Sequence, residues 1–202
     1  MNNKPVAAVI LAAGESRRMG QPKLLLPWRD GCVLDAVLAA VTAAPFDDAV
    51  LVSGAYRDRV EDIASDHGIR CVFNTDYSAG QSTSLIAGLN ALPANTAAMF
   101  ILADQPGLDA VLARRLIEAY QQSGALILQP RTLQGRSGHP VLFAPALFAE
   151  LRALRGDGGG RPVLQAHIDE VQYLPTEDDG IWQDLDTPED YRRLRRNDNE
   201  QA

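Results

Sequence analysis

Residues 5–23 read PVAAVILAAGESRRMGQPK, an apolar run followed at once by glycine and charge. The run 6–12 consists of small and branched apolar residues, which predicts a strand buried inside a sheet. Gly14 and Gly20 follow it, and both permit a backbone with positive φ, so that successive N–H groups can converge on an anion. The segment therefore predicts an anion-binding loop at the end of a buried strand.

Three cations accompany this loop, namely Arg17, Arg18 and Lys23. Arginine can hold two phosphate oxygens at once, so these charges favour a phosphate as the anion. A surface turn with a solvated arginine pair is the alternative, but a turn needs only one or two glycines and no cluster of cations. The loop is not a P-loop, since Lys23 does not adjoin the second glycine, and it is not a dinucleotide fingerprint, since no glycine stands two residues after Gly14.

The composition is that of one acidic domain. With 202 residues and a formal net charge of −7, we expect a single domain over residues 1–196 and no general affinity for nucleic acid. Any anion site must then be a local concentration of positive charge. Residues 197–202 lack large apolar side chains, and we expect a disordered tail there.

Neither the cysteines nor the N-terminus indicates a secreted or membrane protein. Cys32 and Cys71 stand alone and the three histidines are scattered, so no disulfide framework and no zinc-ligand spacing is present in the sequence. The first residues reach glycine and charge too soon for a signal peptide, and no apolar run approaches the roughly 20 residues of a membrane span. We therefore expect a cytoplasmic protein without a membrane partner.

Apolar runs and helical patterns alternate along the chain. In a doubly wound sheet the first and fourth strands are commonly neighbours, with the ligand beyond their carboxyl ends. The alternation thus predicts an α/β protein with a mostly parallel sheet covered on both faces, and a site where the loops 11–20 and 101–107 meet. Strands are predicted at 6–12, 49–54, 70–74, 97–103, 125–129, 140–144 and 171–175, and helices at 33–44, 58–68, 82–92, 109–123, about 145–154, 161–168 and from 188 onward.

Asp104 directly follows the apolar run of the fourth predicted strand. Its carboxylate could cap the next helix, but Asp109 is the better cap because it immediately precedes the helical pattern. A free carboxylate at a strand end, facing an anion loop, is typical of a magnesium ligand, since Mg²⁺ commonly takes one or two carboxylates plus phosphates and water.

A second acidic cluster lies at 184–190. Thr187 and Asp190 have the spacing of a capping box and are predicted to start the last helix. Residues 181–186 (IWQDLD) are a further predicted strand, and Asp184 and Asp186 lie two apart on it and hence on one of its faces. This pair of carboxylates could bind a metal ion or could simply lie on a solvated strand edge, and the spacing alone does not decide between the two.

Three further segments contain glycine and are candidates for ligand binding. Gly80 and Gln81 could contact a base or a ribose, although Ser82 or Ser84 could simply cap the helix that follows. The segments 135–140 and 155–161 are also rich in glycine. Segment 155–161 has three consecutive glycines before Arg161 and is a candidate anion site at a helix N-terminus. His139, in segment 135–140, is expected to be a loop histidine and not a catalytic base.

Six segments, in this order, resemble the MobA-like nucleotidyltransferases, and among them the molybdenum cofactor cytidylyltransferases in particular. They extend from Leu11 to Asp190, and six segments in one order are far more specific than any one alone. The segments are LAAGESRRMGQPKLLLP (11–27), NTDYSAGQSTSL (74–85), LADQP (102–106), GHPVLF (138–143), GDGGGR (156–161) and DLDTPED (184–190).

This resemblance implies a three-layer α/β/α, Rossmann-like fold of the nucleotide-diphosphosugar-transferase type, with a mostly parallel, mixed central sheet. The implied activity is the Mg²⁺-dependent transfer of CMP from CTP to the terminal phosphate of molybdenum cofactor (molybdopterin), with release of pyrophosphate. The alternatives are a guanylyltransferase for the same cofactor, a cytidylyltransferase for another phosphorylated small molecule, and a non-catalytic chaperone that delivers the cofactor to a client molybdoenzyme.

The resemblance also implies residue roles. Lys23, Arg18 and Asp104 would be catalytic, and Asp104 and Asp186 would hold Mg²⁺. A methyl group at Ala13, where a guanine-using relative would be expected to carry glycine, would favour the smaller cytosine. The implied nucleotide-binding residues are Leu11, Ala12, Ala13, Gly14, Lys23, Gly80, Gln81 and Ser84, and the implied acceptor-binding residues are Gly138, His139, Pro140, Asp157 and Arg161.

Overall fold

A mixed seven-stranded sheet forms the centre of the computed structural model, which describes residues 4–201. Its strands are β1 (Val6–Leu11), β4 (Asp48–Ser53), β5 (Arg70–Phe73), β6 (Ala97–Leu102), β7 (Ile127–Thr132), β8 (Val141–Phe143) and β9 (Val171–Thr176), and β2 (Pro27–Trp28) and β3 (Gly31–Cys32) pair as a separate antiparallel ribbon. In the order β5-β4-β1-β6-β8-β7-β9, β8 runs antiparallel to both neighbours and the other neighbouring pairs are parallel. The expected mostly parallel, mixed sheet is thus confirmed.

Helices cover both faces of this sheet, because strand residues alternate between two apolar cores. The helices are α1 (Val33–Ala43), α2 (Arg57–Asp66), α3 (Gln81–Asn90), α4 (Ala110–Ser123), α5 (Phe148–Ala153), α6 (Arg161–Ala166) and α7 (Pro188–Gln201). In β1, Ile10 packs into a core with α1, α2 and α4, while Val9 packs into a second core with α3, α5 and α6. The three-layer α/β/α fold is thus confirmed.

The pairing of β1 with β6 positions the candidate site. Residues 6–10 are completely buried, which explains their unbroken apolar character. Leu11 lies opposite Leu102 in the parallel register, so the loops that leave both strands emerge side by side. The prediction that the first and fourth strands are neighbours in the sheet is thus confirmed.

The helix starts that the sequence predicts are also present. Asp109 caps α4, since its carboxylate accepts a hydrogen bond from the backbone N–H of Val111 at 2.9 Å. At the start of α7, the N–H of Thr187 donates to Asp190 Oδ2 at 3.0 Å and the N–H of Asp190 donates to Thr187 Oγ1 at 3.2 Å. These side chains are therefore engaged in capping.

The last helix is longer than the sequence suggests. It continues to residue 201, although a disordered tail is predicted for 197–202; Ala202 lies outside the described residues. Asp198 accepts hydrogen bonds from Arg29 Nε at 3.0 and 3.1 Å, which fastens this end of α7 to the β2–β3 ribbon. In the part of the chain that the structure describes, no helix has the length and apolar character needed to cross a membrane.

Candidate active site

A cleft of about 1140 Å³ opens at the carboxyl edge of β1 and β6. It brings together residues from loops that are far apart in the sequence, and Pro140 is the predicted site residue that is not among those lining it. The predicted residues that do line the cleft are Leu11, Ala12, Ala13, Gly14, Arg18, Lys23, Gly80, Gln81, Ser84, Asp104, Gly138, His139, Asp157, Arg161 and Asp186.

The loop after β1 is built around Ser16. Its carbonyl oxygen accepts hydrogen bonds from the N–H groups of Met19 at 3.0 Å and Gly20 at 3.1 Å, and its hydroxyl accepts from the N–H of Lys23 at 3.2 Å. Positive φ occurs at Ser16 (54°) and Gly20 (74°). Of the two glycines that permit a positive φ, Gly20 adopts one and Gly14 does not, and the turn places its other positive φ at Ser16.

The first half of this loop leaves its N–H groups available. Within residues 4–201, no acceptor pairs with the backbone N–H groups of residues 14–18. Gly14 has open space where a Cβ would stand, so nothing screens the backbone from the cleft. Unpaired N–H groups beside two arginines make a loop that can bind an oxyanion.

Lys23 lies between the two carboxylates that the sequence suggests as metal ligands. Its Nζ contacts the carboxylate of Asp104 and lies 3.0 Å from Asp186 Oδ1, and Arg18 Nη1 lies 2.9 Å from Asp186 Oδ2. Burial lowers the pKa of Lys23, but Asp104 and Asp186 together outweigh this effect, and the net pKa is raised. The ammonium therefore stays protonated at neutral pH.

A single backbone hydrogen bond joins the two acidic segments. The N–H of Leu185 donates to the carbonyl oxygen of Asp104 at 3.1 Å, and the side chain of Leu185 is completely buried. This anchor places Asp186, the next residue, beside the end of β6. The carboxylates converge because of this tertiary contact.

The segment 181–186 is not the strand that the sequence predicts. A 3₁₀ turn spans Asp179–Trp182 and an irregular segment follows it. Asp184 and Asp186 consequently have different partners, although both line the cleft. Asp184 Oδ1 accepts from the buried amide of Gln105 at 2.6 Å, whereas Asp186 contacts cations.

The donor set fits a divalent cation that also binds phosphate. Among the described residues no group of three or more His, Cys, Asp or Glu side chains converges, so the chain offers no cage made of protein ligands alone. Asp104 and Asp186 nevertheless contact the same ammonium nitrogen, which puts both within reach of one small cation. Two carboxylates are what Mg²⁺ takes when phosphates and water supply its other ligands.

Close packing explains the glycines at the opposite wall. Gly80 has φ 117°, and a Cβ there would lie 2.5 Å from the carbonyl carbon of Gly156 and 2.9 Å from Asp157 Oδ1. The loop before α3 therefore contacts the 156–160 loop, and a side chain at Gly80 would separate them. Asp157 and Arg161 line the cleft beside this contact.

The start of α3 is fixed by Asn74. Gly80 is the capping residue, and neither Ser82 nor Ser84 supplies a side-chain cap. The buried Asn74 amide donates to Thr83 Oγ1 at 2.8 Å and to Ser84 Oγ at 3.0 Å. Because Ser84 Oγ accepts this bond, its own hydrogen is free to be donated into the cleft.

Gly138 and His139 support the acidic segment. A Cβ at Gly138 would lie 2.0 Å from the carbonyl oxygen of Ile181, and the N–H of His139 donates to the same oxygen at 2.6 Å. Glycine is therefore required for this contact. Pro140 is buried behind it, which explains why it does not line the cleft.

The imidazole of His139 is neutral at pH 7. Burial lowers its pKa, and this effect outweighs the hydrogen bond with the backbone of Phe100 and the nearby charges of Asp184 and Asp104. The side chain lines the cleft in this neutral form.

Sequence reasoning did not single out Gln129, Arg131 and Tyr173, which line the same cleft. Gln129 and Arg131 lie two apart on β7, so they share one face of the sheet. Two polar residues at this spacing, directly after the apolar pair Ile127 and Leu128, were the signal that could have found them.

A histidine clamp beside the cleft predicts a pH-dependent stability. His167 Nδ1 lies 2.8 Å from Glu170 Oε1 and its Nε2 lies 2.9 Å from Glu150 Oε2, and donation to these two carboxylates raises its pKa above 6.5. A raised pKa contributes stability below pH 6.5 that is lost as the pH rises through the folded-state value. We expect the melting temperature to fall as the pH rises above 6.5, and to fall less in His167→Gln. Thermal melts in matched buffers test this, and equal slopes for the two proteins would contradict it.

The fold and this cleft are those of a nucleotidyltransferase family. The model of the MobA-like NTP transferase domain matches residues 8–171, and the chain belongs to this family. It is a MobA-like nucleotidyltransferase.

Relatives of this chain carry different names. It is 32% identical to nicotine blue oxidoreductase of Paenarthrobacter nicotinovorans, over 94% of this chain and 96% of that protein. It is 28% identical to the purine catabolism protein PucB of Bacillus subtilis (strain 168), over 97% and 98% of the two chains. It is 29% identical to molybdenum cofactor cytidylyltransferase of Escherichia coli (strain K12), over 92% and 93%.

A solved structure is similar over nearly the whole length. It is the manganese complex of Rv0371C from Mycobacterium tuberculosis H37Rv, with a TM-score of 0.81 and 32% sequence identity. The match covers 95% of this chain and 98% of that one.

Proposed function

We propose that the protein transfers CMP from CTP to the terminal phosphate of molybdenum cofactor, releases pyrophosphate and requires Mg²⁺. The observation that carries the proposal is the contact of Lys23 with both Asp104 and Asp186, next to a loop with unpaired N–H groups. A centre of this kind can hold two anionic phosphates and balance their charge.

The chemistry requires little of the protein beyond positioning and charge. An oxygen of the acceptor phosphate attacks the α-phosphorus of CTP, a P–O bond forms, and the bond to the β-phosphate oxygen breaks with release of pyrophosphate. The attacking phosphate is already ionised at neutral pH, so no general base is needed. Lys23 and Arg18 would stabilise the pyrophosphate, on which negative charge grows in the transition state.

Asp104 and Asp186 would hold the metal ion. When bound, it would supply Lewis-acid polarisation of the phosphates and reduce the repulsion between the two substrates. The similarity to a structure solved with manganese supports a divalent cation, and the ligand chemistry of two carboxylates supports Mg²⁺.

The names of the relatives leave several reactions open. A guanylyltransferase for the same cofactor and a cytidylyltransferase for another phosphorylated molecule would use the same centre. A chaperone that only binds the finished cofactor for a client molybdoenzyme would have no need of Lys23 between two carboxylates. The oxidoreductase name belongs to a relative, and the glycine loop of this chain does not have the spacing of a dinucleotide fingerprint.

The proposed preference for cytosine rests first on Ala13, whose methyl group would narrow the space beside the base. Ala13 lines the cleft and is packed closely against Gly54, where an added Cβ would lie 2.6 Å from the Ala13 methyl. Gln81 and Ser84 line the cleft as well and offer donors and acceptors to a cytosine edge. We expect CTP to exceed GTP in kcat/KM by about tenfold or more if two hydrogen bonds differ.

Steady-state kinetics with Mg²⁺, each nucleotide in turn and molybdenum cofactor, with pyrophosphate release as the signal, test this expectation. Ala13→Gly combined with exchange of the 80–84 segment should erode the preference. Equal use of CTP and GTP by the unmodified protein would exclude the cytidylyl assignment and leave nucleotidyl transfer standing.

A further inference from the structure

An arginine stacked on a tyrosine marks the end of the cleft beyond β8. Arg131 Cζ lies 3.3 Å from the centre of the Tyr173 ring, and Arg131 Nε donates to Ser137 Oγ at 3.0 Å. All three residues line the cleft. The ring contact and one hydrogen bond therefore hold the guanidinium in place, and no other acceptor among residues 4–201 pairs with its remaining N–H groups.

The sheet explains this arrangement. Gln129 lies opposite Tyr173 in the parallel register of β7 and β9, and Arg131 is two residues further along the same face. Arg131 and Tyr173 are thus diagonal neighbours, within reach of long side chains. The pair is a regular feature of a central sheet and not of a loose loop.

Arg131 differs from Arg17, Arg18 and Lys23 in its charge balance. Arg17 lies 2.6 Å from a Glu15 oxygen, and Arg18 and Lys23 contact Asp186. Over residues 4–201, Arg131 forms no ion pair with a carboxylate. Arg161 also lines the cleft without an ion pair among the described residues, but it is exposed, whereas Arg131 is half-buried. A half-buried guanidinium without a counter-charge is suited to an anionic ligand.

The surroundings indicate what such a ligand looks like. Phe100 and Phe143 lie edge to face at 5.9 Å in the floor of the cleft, and Val141 lies beside them. β7 is two strands from β6, which at about 4.8 Å per step puts it about 10 Å from the strand that Asp104 follows, and the guanidinium of Arg131 lies over Tyr173 of β9, on the far side of β7. An anion at Arg131 is therefore not the phosphate that reacts near Asp104.

We propose that Arg131, held on Tyr173, binds an anionic group of the acceptor other than its reacting phosphate. The acceptor would be a molecule with an apolar, planar body over the phenylalanines and negative charge at both ends. This subsite rests on the proposed function only in assuming that the acceptor enters this cleft.

The first test uses inorganic phosphate as the probe. The protein is saturated with Mg²⁺ and the α,β-methylene analogue of CTP, which occupies the nucleotide phosphate positions, and phosphate is then titrated by calorimetry. We expect Arg131→Gln to weaken phosphate binding by about tenfold. Arg136→Gln is the matched control, because Arg136 stacks on Trp182 outside the cleft, 4.6 Å from the ring centre. Phosphate affinity that is absent, or equal in the wild type and Arg131→Gln, would overturn the proposal.

The second test separates the contribution of the Tyr173 ring from that of the Arg131 charge. Tyr173→Phe keeps the stacked ring and should bind phosphate like the wild type, whereas Tyr173→Leu should weaken binding. In the transfer reaction, Arg131→Gln should raise the KM for molybdenum cofactor about tenfold and leave the KM for CTP unchanged. A rise in both KM values would contradict the subsite. If no transfer to this acceptor occurs at all, the proposed function fails while the phosphate titration still decides the role of Arg131.

Discussion

Asp104→Asn is expected to lower kcat by about a thousandfold or more while leaving the fold intact. The amide has the shape of the carboxylate but lacks the negative charge that a divalent cation requires. The contact that joins the two acidic segments uses the backbone oxygen of Asp104, which the substitution retains. Lys23 would still contact Asp186 at 3.0 Å, so the ammonium is not left without a partner.

Turnover at saturating CTP and Mg²⁺ measures this effect, and circular dichroism and thermal melts establish that the variant is folded. Asp109→Asn is the matched control, because it changes a carboxylate five residues away that caps α4, and asparagine caps as well as aspartate. The control should keep normal turnover. A near-normal rate of Asp104→Asn at saturating Mg²⁺ would exclude Asp104 as a metal ligand.

Lys23→Ala is expected to lower kcat by about a hundredfold or more, with a smaller change in the affinity for CTP. The reason is that the charge of Lys23 would act on the pyrophosphate as negative charge develops there. Its contacts with Asp104 and Asp186 raise its pKa, so the charge is fully present at neutral pH.

The other lysine of the chain provides the control for this experiment. Lys4 lies 5.9 Å from the ring centre of Tyr120, away from the cleft, and Lys4→Ala should leave kcat unchanged. If Lys23→Ala raises only the KM for CTP, the lysine contributes equally to substrate and transition state. The proposal that Lys23 stabilises the transition state specifically would then be wrong.

Local sequence patterns predicted the sheet and the position of the cleft, because the burial of a strand and the start of a helix each depend on a few consecutive residues. The unbroken apolar run 6–10 reflects burial on both faces of β1, and Asp109 stands directly before a helical pattern. The topology of a doubly wound sheet then placed the loops after β1 and β6 side by side.

Tertiary contacts account for what the sequence did not reveal. Asp186 reaches Lys23 through the backbone bond of Leu185 to Asp104, whereas the pattern of 181–186 resembles a strand. The stacking of Arg131 on Tyr173 depends on the register of β7 and β9, which no local pattern specifies. Positive φ at Ser16 likewise depends on the bonds its own carbonyl makes.

The fate of labelled phosphates tests the central claim most directly. The protein is incubated with Mg²⁺, molybdenum cofactor and CTP labelled on the α-phosphate in one sample and on the γ-phosphate in another. The proposed reaction predicts that the α-label is joined to the cofactor and that the γ-label leaves in pyrophosphate. The same experiment is repeated with each of the four nucleoside triphosphates in turn. If the cofactor stays unlabelled with all of them, the proposal that this cleft transfers a nucleotide to molybdenum cofactor is contradicted.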